Sequence, residues 1–217
     1  MVGLGFLFYG LGIAPAYYSW GFFAPEIIAD LGLTRQEVGE IFGAFALMLS
    51  ISSMASSSLI NRWGVRATVT LGALMASLGW FLVGQANSVS QLYLSYALIG
   101  GFGIGLSTLI PAQTLAVFWF RRYRARATGV IFFGAAFFGA LVTPIDAYIL
   151  AVSDWRAAWF YISLTSLSVA LLSVFFLRNK PEDIGQYCDG DSLEDINSLK
   201  PSEAKRKESR MTVRQAI

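Results

Sequence analysis

Six stretches of this chain are each long and apolar enough to cross a lipid bilayer, and only short loops separate them. A hydrocarbon core of about 30 Å takes about 20 apolar residues in an α-helix. In that solvent every backbone N–H and C=O must be satisfied inside the segment, and a helix does so. The expected spans cover residues 1–25, 38–60, 67–86, 92–120, 127–150 and 155–177. The fold class that follows is an all-α membrane protein, a six-helix transmembrane bundle with sequential helices as antiparallel neighbours. Composition agrees: 14% of residues are charged, against about 25% in soluble domains. Residues 178–217 are polar, carry charges of both signs and hold too few apolar side chains to bury a core. They read as a cytoplasmic linker, either solvated throughout or with a short surface helix from Ser202 laying its Lys205–Lys207 run near anionic lipid.

Charge sets the orientation. Arg62 and Arg66 fall in one loop, Arg121, Arg122, Arg124 and Arg126 in a second, and eight basic residues in the tail. These are 14 of the 16 basic residues, and only Arg35 and Arg156 lie on the other side. The positive-inside rule puts both termini in the cytoplasm of a cell membrane. The first apolar segment has no basic residue before Arg35, so it reads as a retained helix rather than a signal peptide. Tryptophans are expected at the interfaces, Trp63 and Trp119 inside and Trp155 and Trp159 outside, with Trp80 in packing.

The run "FRRYRAR" (residues 120–126) tests three readings. A nucleic-acid patch needs a basic face on a soluble domain. A substrate site needs the arginines deep, where each costs about 2.5–3.5 kcal/mol. A tight turn between two spans leaves the third reading, a cytoplasmic anchor on lipid phosphate and no nucleic-acid partner. Histidine is absent, cysteine occurs once, and no P-loop or G-x-S-x-G elbow appears. Metal cages, catalytic triads and nucleotide chemistry therefore lack their residues, and neither an enzyme nor a cofactor is expected.

Chemistry inside the spans is sparse. Tyr17, Tyr18, Ser19 and Trp20 follow Pro15; Ser107, Thr108, Pro111, Gln113 and Thr114 cluster further on. They either line a polar path or hydrogen-bond between helices. Asp146 sits about four residues from the end of its span, roughly 6 Å below the boundary. It is either a carboxylate reaching headgroup water or an ion site facing a cavity. Glu26 and Asp30 are expected in water just past the first helix. The glycines Gly100–Gly105, Gly129, Gly134 and Gly139 point to close helix packing.

"SSLINRWGVR" (Ser57–Arg66) resembles the helix 2–3 signature of the major facilitator superfamily, G-x-L-x-D-R-x-G-x-R. Leu59, Arg62, Gly64 and Arg66 match, while Ser57 and Asn61 depart from it. "WFRRYRARATGVIFFG" resembles the loop and helix opening of the monocarboxylate-transporter and oxalate/formate-antiporter branches through Phe120, Arg122, Arg124, Ala127, Gly129 and Gly134. "SDWRAAWF" and "PEDIGQYCDG" resemble the stretches that open and follow helix 6, and "SWGF" (Ser19–Phe22) weakly echoes a monocarboxylate motif. Ala97 stands where drug/proton antiporters carry Arg.

The resemblance implies the N-terminal half of a twelve-helix fold, with an absent C-terminal six-helix half as partner. It implies alternating-access transport of a small organic anion, a monocarboxylate or oxalate/formate. Tyr17, Tyr18, Trp20, Gln113 and Asp146 are then candidates for the substrate path. Asn61, Arg62, Gly64 and Arg66 would form a conformational latch, without the charge an Asp at position 61 would bring. The alternatives are a non-transporting or partner-binding half, or a carrier of another solute class.

Overall fold

A computed structural model describes residues 1–190 of the chain. The expected helix near Ser202 lies outside the described residues. Five long helices make up the bundle: α1 (Val2–Leu31), α2 (Arg35–Gly84), α3 (Val89–Trp119), α4 (Arg124–Val152) and α5 (Trp155–Phe176). Among the described residues, α2 to α5 are long and apolar enough to cross a membrane by length and composition. In α1 two prolines and the Tyr17–Ser19 run dilute the apolar stretch.

Helix ends follow local capping chemistry that hydropathy does not see. α1 passes through Pro25 and stops at Gly32 (φ 65), where the Leu33 N–H donates back to the Ile28 carbonyl at 3.2 Å. Glu26 and Asp30 are therefore helical, which corrects the expected end at residue 25. Thr34 and Glu37 form a capping box that starts α2 at Arg35 rather than 38. Ser88 and Asp154 cap α3 and α5 in the same way, by accepting from the N–H groups of Gln91 and Ala157.

The 50 residues of α2 are not one rod. Gly64 has φ 84 and ψ 167, a conformation open essentially to glycine alone. Ser52 and Gly72 both pack against residues 101–105 of α3, although an unbroken helix would hold them about 30 Å apart. The chain therefore reverses at Gly64, and the limbs 35–63 and 65–84 lie on two sides of α3. Glycine allows this approach. A methyl on Gly79 would fall 2.7 Å from the Gly100 nitrogen, and one on Gly101 2.9 Å from the Phe45 carbonyl oxygen. Serines fasten the same interfaces: Ser56 donates to the Leu106 carbonyl at 3.1 Å, and Ser77 to that of Ser163 at 2.9 Å. Such bonds suit an apolar solvent, which supplies no hydrophobic drive for helix association.

α3 is irregular in two places. Residues Tyr93–Gly100 wind as a π-helix, and Thr108 (φ −109, ψ −87) breaks the rod three residues before Pro111. Proline lacks the N–H that would bond the Ser107 carbonyl, which explains the second break. The first turns Tyr96 toward α1, where its hydroxyl donates to the Ala16 carbonyl at 2.7 Å. Around Tyr96 lies an aromatic core of Trp20, Phe45, Trp80 and Trp159, with the Trp20 and Tyr96 rings stacked at 3.9 Å.

The tryptophans differ in burial. Trp63 is half exposed, but Trp119, Trp155 and Trp159 are buried in the bundle. Their rings fill space between helices instead of facing outward, because large aromatics bury the most surface per residue. Asp30 is also not simply wet. It accepts from the Arg156 guanidinium at 2.9 Å and the Trp155 indole at 3.2 Å, joining the ends of α1 and α5. The first part of the polar tail departs from expectation as well. Leu177 is fully buried and residues 178–190 fold back on the bundle through two short 3₁₀ turns, Pro181–Ile184 and Cys188–Gly190.

Candidate functional site

Two cavities open along α1, and Tyr17 lines both. The smaller, about 390 Å³, is walled by Tyr9, Ile13, Tyr17, Tyr18, Leu49, Thr108, Leu109 and Ala135. Four helices contribute: α1, the first limb of α2, α3 at its Thr108 break, and α4. Thr108 enters the wall at the break in α3. Three tyrosines line the wall, and none of its residues carries a charge. Such a wall offers hydrogen-bond donors to a small solute without fixing its sign. The larger cavity, about 620 Å³, lies between α1 and the start of α2 and includes Tyr17, Trp20, Pro25, Arg35, Val38 and Phe42. Both volumes fall in the range of small-molecule sites.

The sequence candidates separate into two groups. Tyr17 is held edge-on against Phe42 and Phe45 at 5.5 and 5.6 Å. Tyr18 is half exposed, and its ring packs against Gly139, where no side chain intervenes. Trp20 is buried by its stacking on Tyr96, with an edge on the larger cavity. Gln113 and Asp146 do not join them. Gln113 is exposed on α3 and lines neither cavity.

Asp146 corrects the expectation of a carboxylate in headgroup water. It is 2% exposed, packed between α4 and α1 beside the Ser19 hydroxyl. Its Oδ2 and the Ser19 Oγ are both buried without a hydrogen-bond partner. It lines neither cavity.

Sequence reasoning missed Tyr9. Its spacing of eight from Tyr17 keeps it on one side of α1, and that periodicity was the available signal. Leu49 carried no signal, because a lone leucine in an apolar span is indistinguishable from lipid-facing neighbours.

The two basic turns sit at the same end of the bundle. In the first, Asn61 and Arg62 are exposed, the Arg62 guanidinium lies 6.0 Å over the Trp63 ring, and Gly64 makes the reversal. The Arg66 N–H donates to Asn179 Oδ1 at 2.9 Å. In the second, Arg121, Arg122, Arg124 and Arg126 are all exposed. Asp189 closes this turn by accepting from the N–H groups of Arg121 (3.1 Å), Arg122 (2.7 Å) and Tyr123 (3.5 Å). Partial burial pushes the Asp189 carboxyl up, but the N–H donors of Arg122, Arg121 and Tyr123 outweigh it and hold it below the ordinary carboxylate value.

Known proteins match this sequence. Human monocarboxylate transporter 2 is 28% identical over 163 residues, 72% of this chain and 34% of its own length. Mouse monocarboxylate transporter 14 is 32% identical over 125 residues, 58% of this chain and 24% of its own length. The probable sulfoacetate transporter SauU of Cupriavidus necator is 28% identical over 161 residues, 73% of this chain and 37% of its own length. The chain thus spans about a third of the length of such relatives. The sequence model described as Major Facilitator Superfamily matches residues 2–188, nearly the whole described bundle. With that match, transporter-named relatives and apolar helices fit to span a bilayer, the chain belongs to the Major Facilitator Superfamily, as a multi-pass membrane protein of a secondary-transporter family and not an enzyme.

Proposed function

We propose that this chain is the N-terminal six-helix half of an alternating-access carrier for small organic anions, monocarboxylates among them. The observation that carries the reading is the uncharged cavity at Tyr9, Tyr17, Tyr18 and Thr108, shared by four helices. A carboxylate can accept from several hydroxyls there, while a cationic partner would come from a second six-helix half. The break at Gly64 makes α2 two passes, so that six passes put both termini on the cytoplasmic side of the cell membrane, with the basic turns. Asn61, Arg62, Gly64 and Arg66 serve as the latch against the second half, and the four arginines of residues 121–126 hold lipid phosphate. Relatives named for monocarboxylate and sulfoacetate transport support the choice of an anionic solute.

Uptake of labelled monocarboxylates into vesicles bearing the full-length carrier tests the reading. Tyr17→Phe should raise KM about ten- to 150-fold, the worth of one hydrogen bond to a charged group. Uptake of a different solute class alone, with no response to any carboxylate, overturns the substrate assignment.

A further inference from the structure

Residues 178–190 touch both basic turns through separate, specific contacts. At one end, the Asn179 side chain lies over Gly64 so closely that a methyl there would sit 2.6 Å from its Nδ2. Its Oδ1 also accepts the Arg66 N–H. At the other end, Asp189 adopts the left-handed region (φ 62), which Asp tolerates better than most residues, and gathers three N–H groups of residues 121–123. Cys188 Sγ donates to the Phe118 carbonyl at 3.3 Å, and Lys180 lies 5.7 Å over the Phe118 ring.

The segment between the two ends is ordered in itself. The Lys180 N–H donates to Asp183 Oδ2 at 3.1 Å, Gly185 to the Glu182 carbonyl and Gln186 to the Pro181 carbonyl. Leu177, fully buried, fixes where the segment leaves the membrane helix.

We propose that residues 178–190 form a two-point brace that locks the Gly64 turn and the 120–123 turn into one mechanical unit. Asn179 and Asp189 are its positioning residues. Two independent caps would protect their own turns separately; an ordered strap fixed at both ends makes the state of one turn depend on the other. A pull on the chain beyond residue 190 is thereby felt at the latch turn as well as at the anchor turn. This assignment does not depend on which solute is carried.

Amide hydrogen exchange on the whole chain in a membrane mimetic tests it. Asp189→Asn keeps the left-handed backbone accessible while removing the carboxylate. The amides of residues 121–123 should exchange at least about tenfold faster, and the Arg66 amide, which Asp189 does not touch, should also accelerate. Asn179→Ala should do the converse, and the double variant should add little beyond either single change. Unchanged protection in the middle of α3 and α5 would show the bundle intact. If each substitution loosens only its own turn, or the two effects on exchange free energy simply add, the brace is refuted.

Discussion

Replacing Gly103 by alanine tests the packing argument at a close backbone contact between helices. A methyl group there would lie 2.6 Å from the Gly72 carbonyl oxygen and closer still to the Ala76 nitrogen. Ordinary contact begins at about 3.5 Å, so the two helices must separate by roughly 1 Å. Both obstacles are backbone, which cannot swing aside as a side chain can. Overpacking of this kind costs about 1–3 kcal/mol, against a gain of about 0.5–1 kcal/mol from replacing a helical glycine. The net expectation is destabilisation by about 1–2 kcal/mol. Gly129 is the control: it is helical in α4, and a methyl there meets nothing within 4 Å. Gly129→Ala should therefore stabilise by about 0.5–1 kcal/mol. The same chemical change thus carries opposite signs at two sites that sequence alone cannot tell apart. Thermal unfolding of the purified protein in one detergent compares them directly. A Gly103→Ala variant as stable as the parent, or a loss of equal size at Gly129, would refute the reasoning.

Other consequences are as specific. Gly64→Ala forces a glycine-only conformation on alanine and drives a methyl into Asn179, and should cost about 1–3 kcal/mol in the same melting assay. Asp30→Asn should cost less than about 1 kcal/mol, because the Arg156 pair is partly exposed, with side chains 28% and 47% accessible. Asp189 has a depressed folded pKa, so its docking is fully present above the ordinary carboxylate value of about 3.9 and is lost as pH falls through the folded value. Cys188 reports this: its reaction with dithiodipyridine, normalised to free cysteine, should stay flat from pH 7 to about 4 and rise below that. A flat profile throughout would show that the carboxylate does not hold the strap.

Apolar run length and the basic-residue bias spoke through composition alone, because a bilayer forces each span to satisfy its own backbone. An all-helical, membrane-spanning chain was therefore legible, and "SSLINRWGVR" with "FRRYRAR" pointed to the family. T-x-x-E at Thr34–Glu37 and S-x-x-Q at Ser88–Gln91 were legible too, as helix starts that hydropathy overlooks. Burial was not legible. Every span is apolar on all sides, so no periodicity separates Trp159, sealed in the aromatic core, from a tryptophan at the interface. Asp146 looked shallow by its distance from a helix end, and only the packing of α4 on α1 closed it off from water. The cavity at Tyr17 needed residues from four helices to exist. The brace required contacts between residues more than a hundred positions apart in sequence, Asn179 to Arg66. Local sequence sets which backbone groups need a partner, and only the tertiary fold decides which partner arrives.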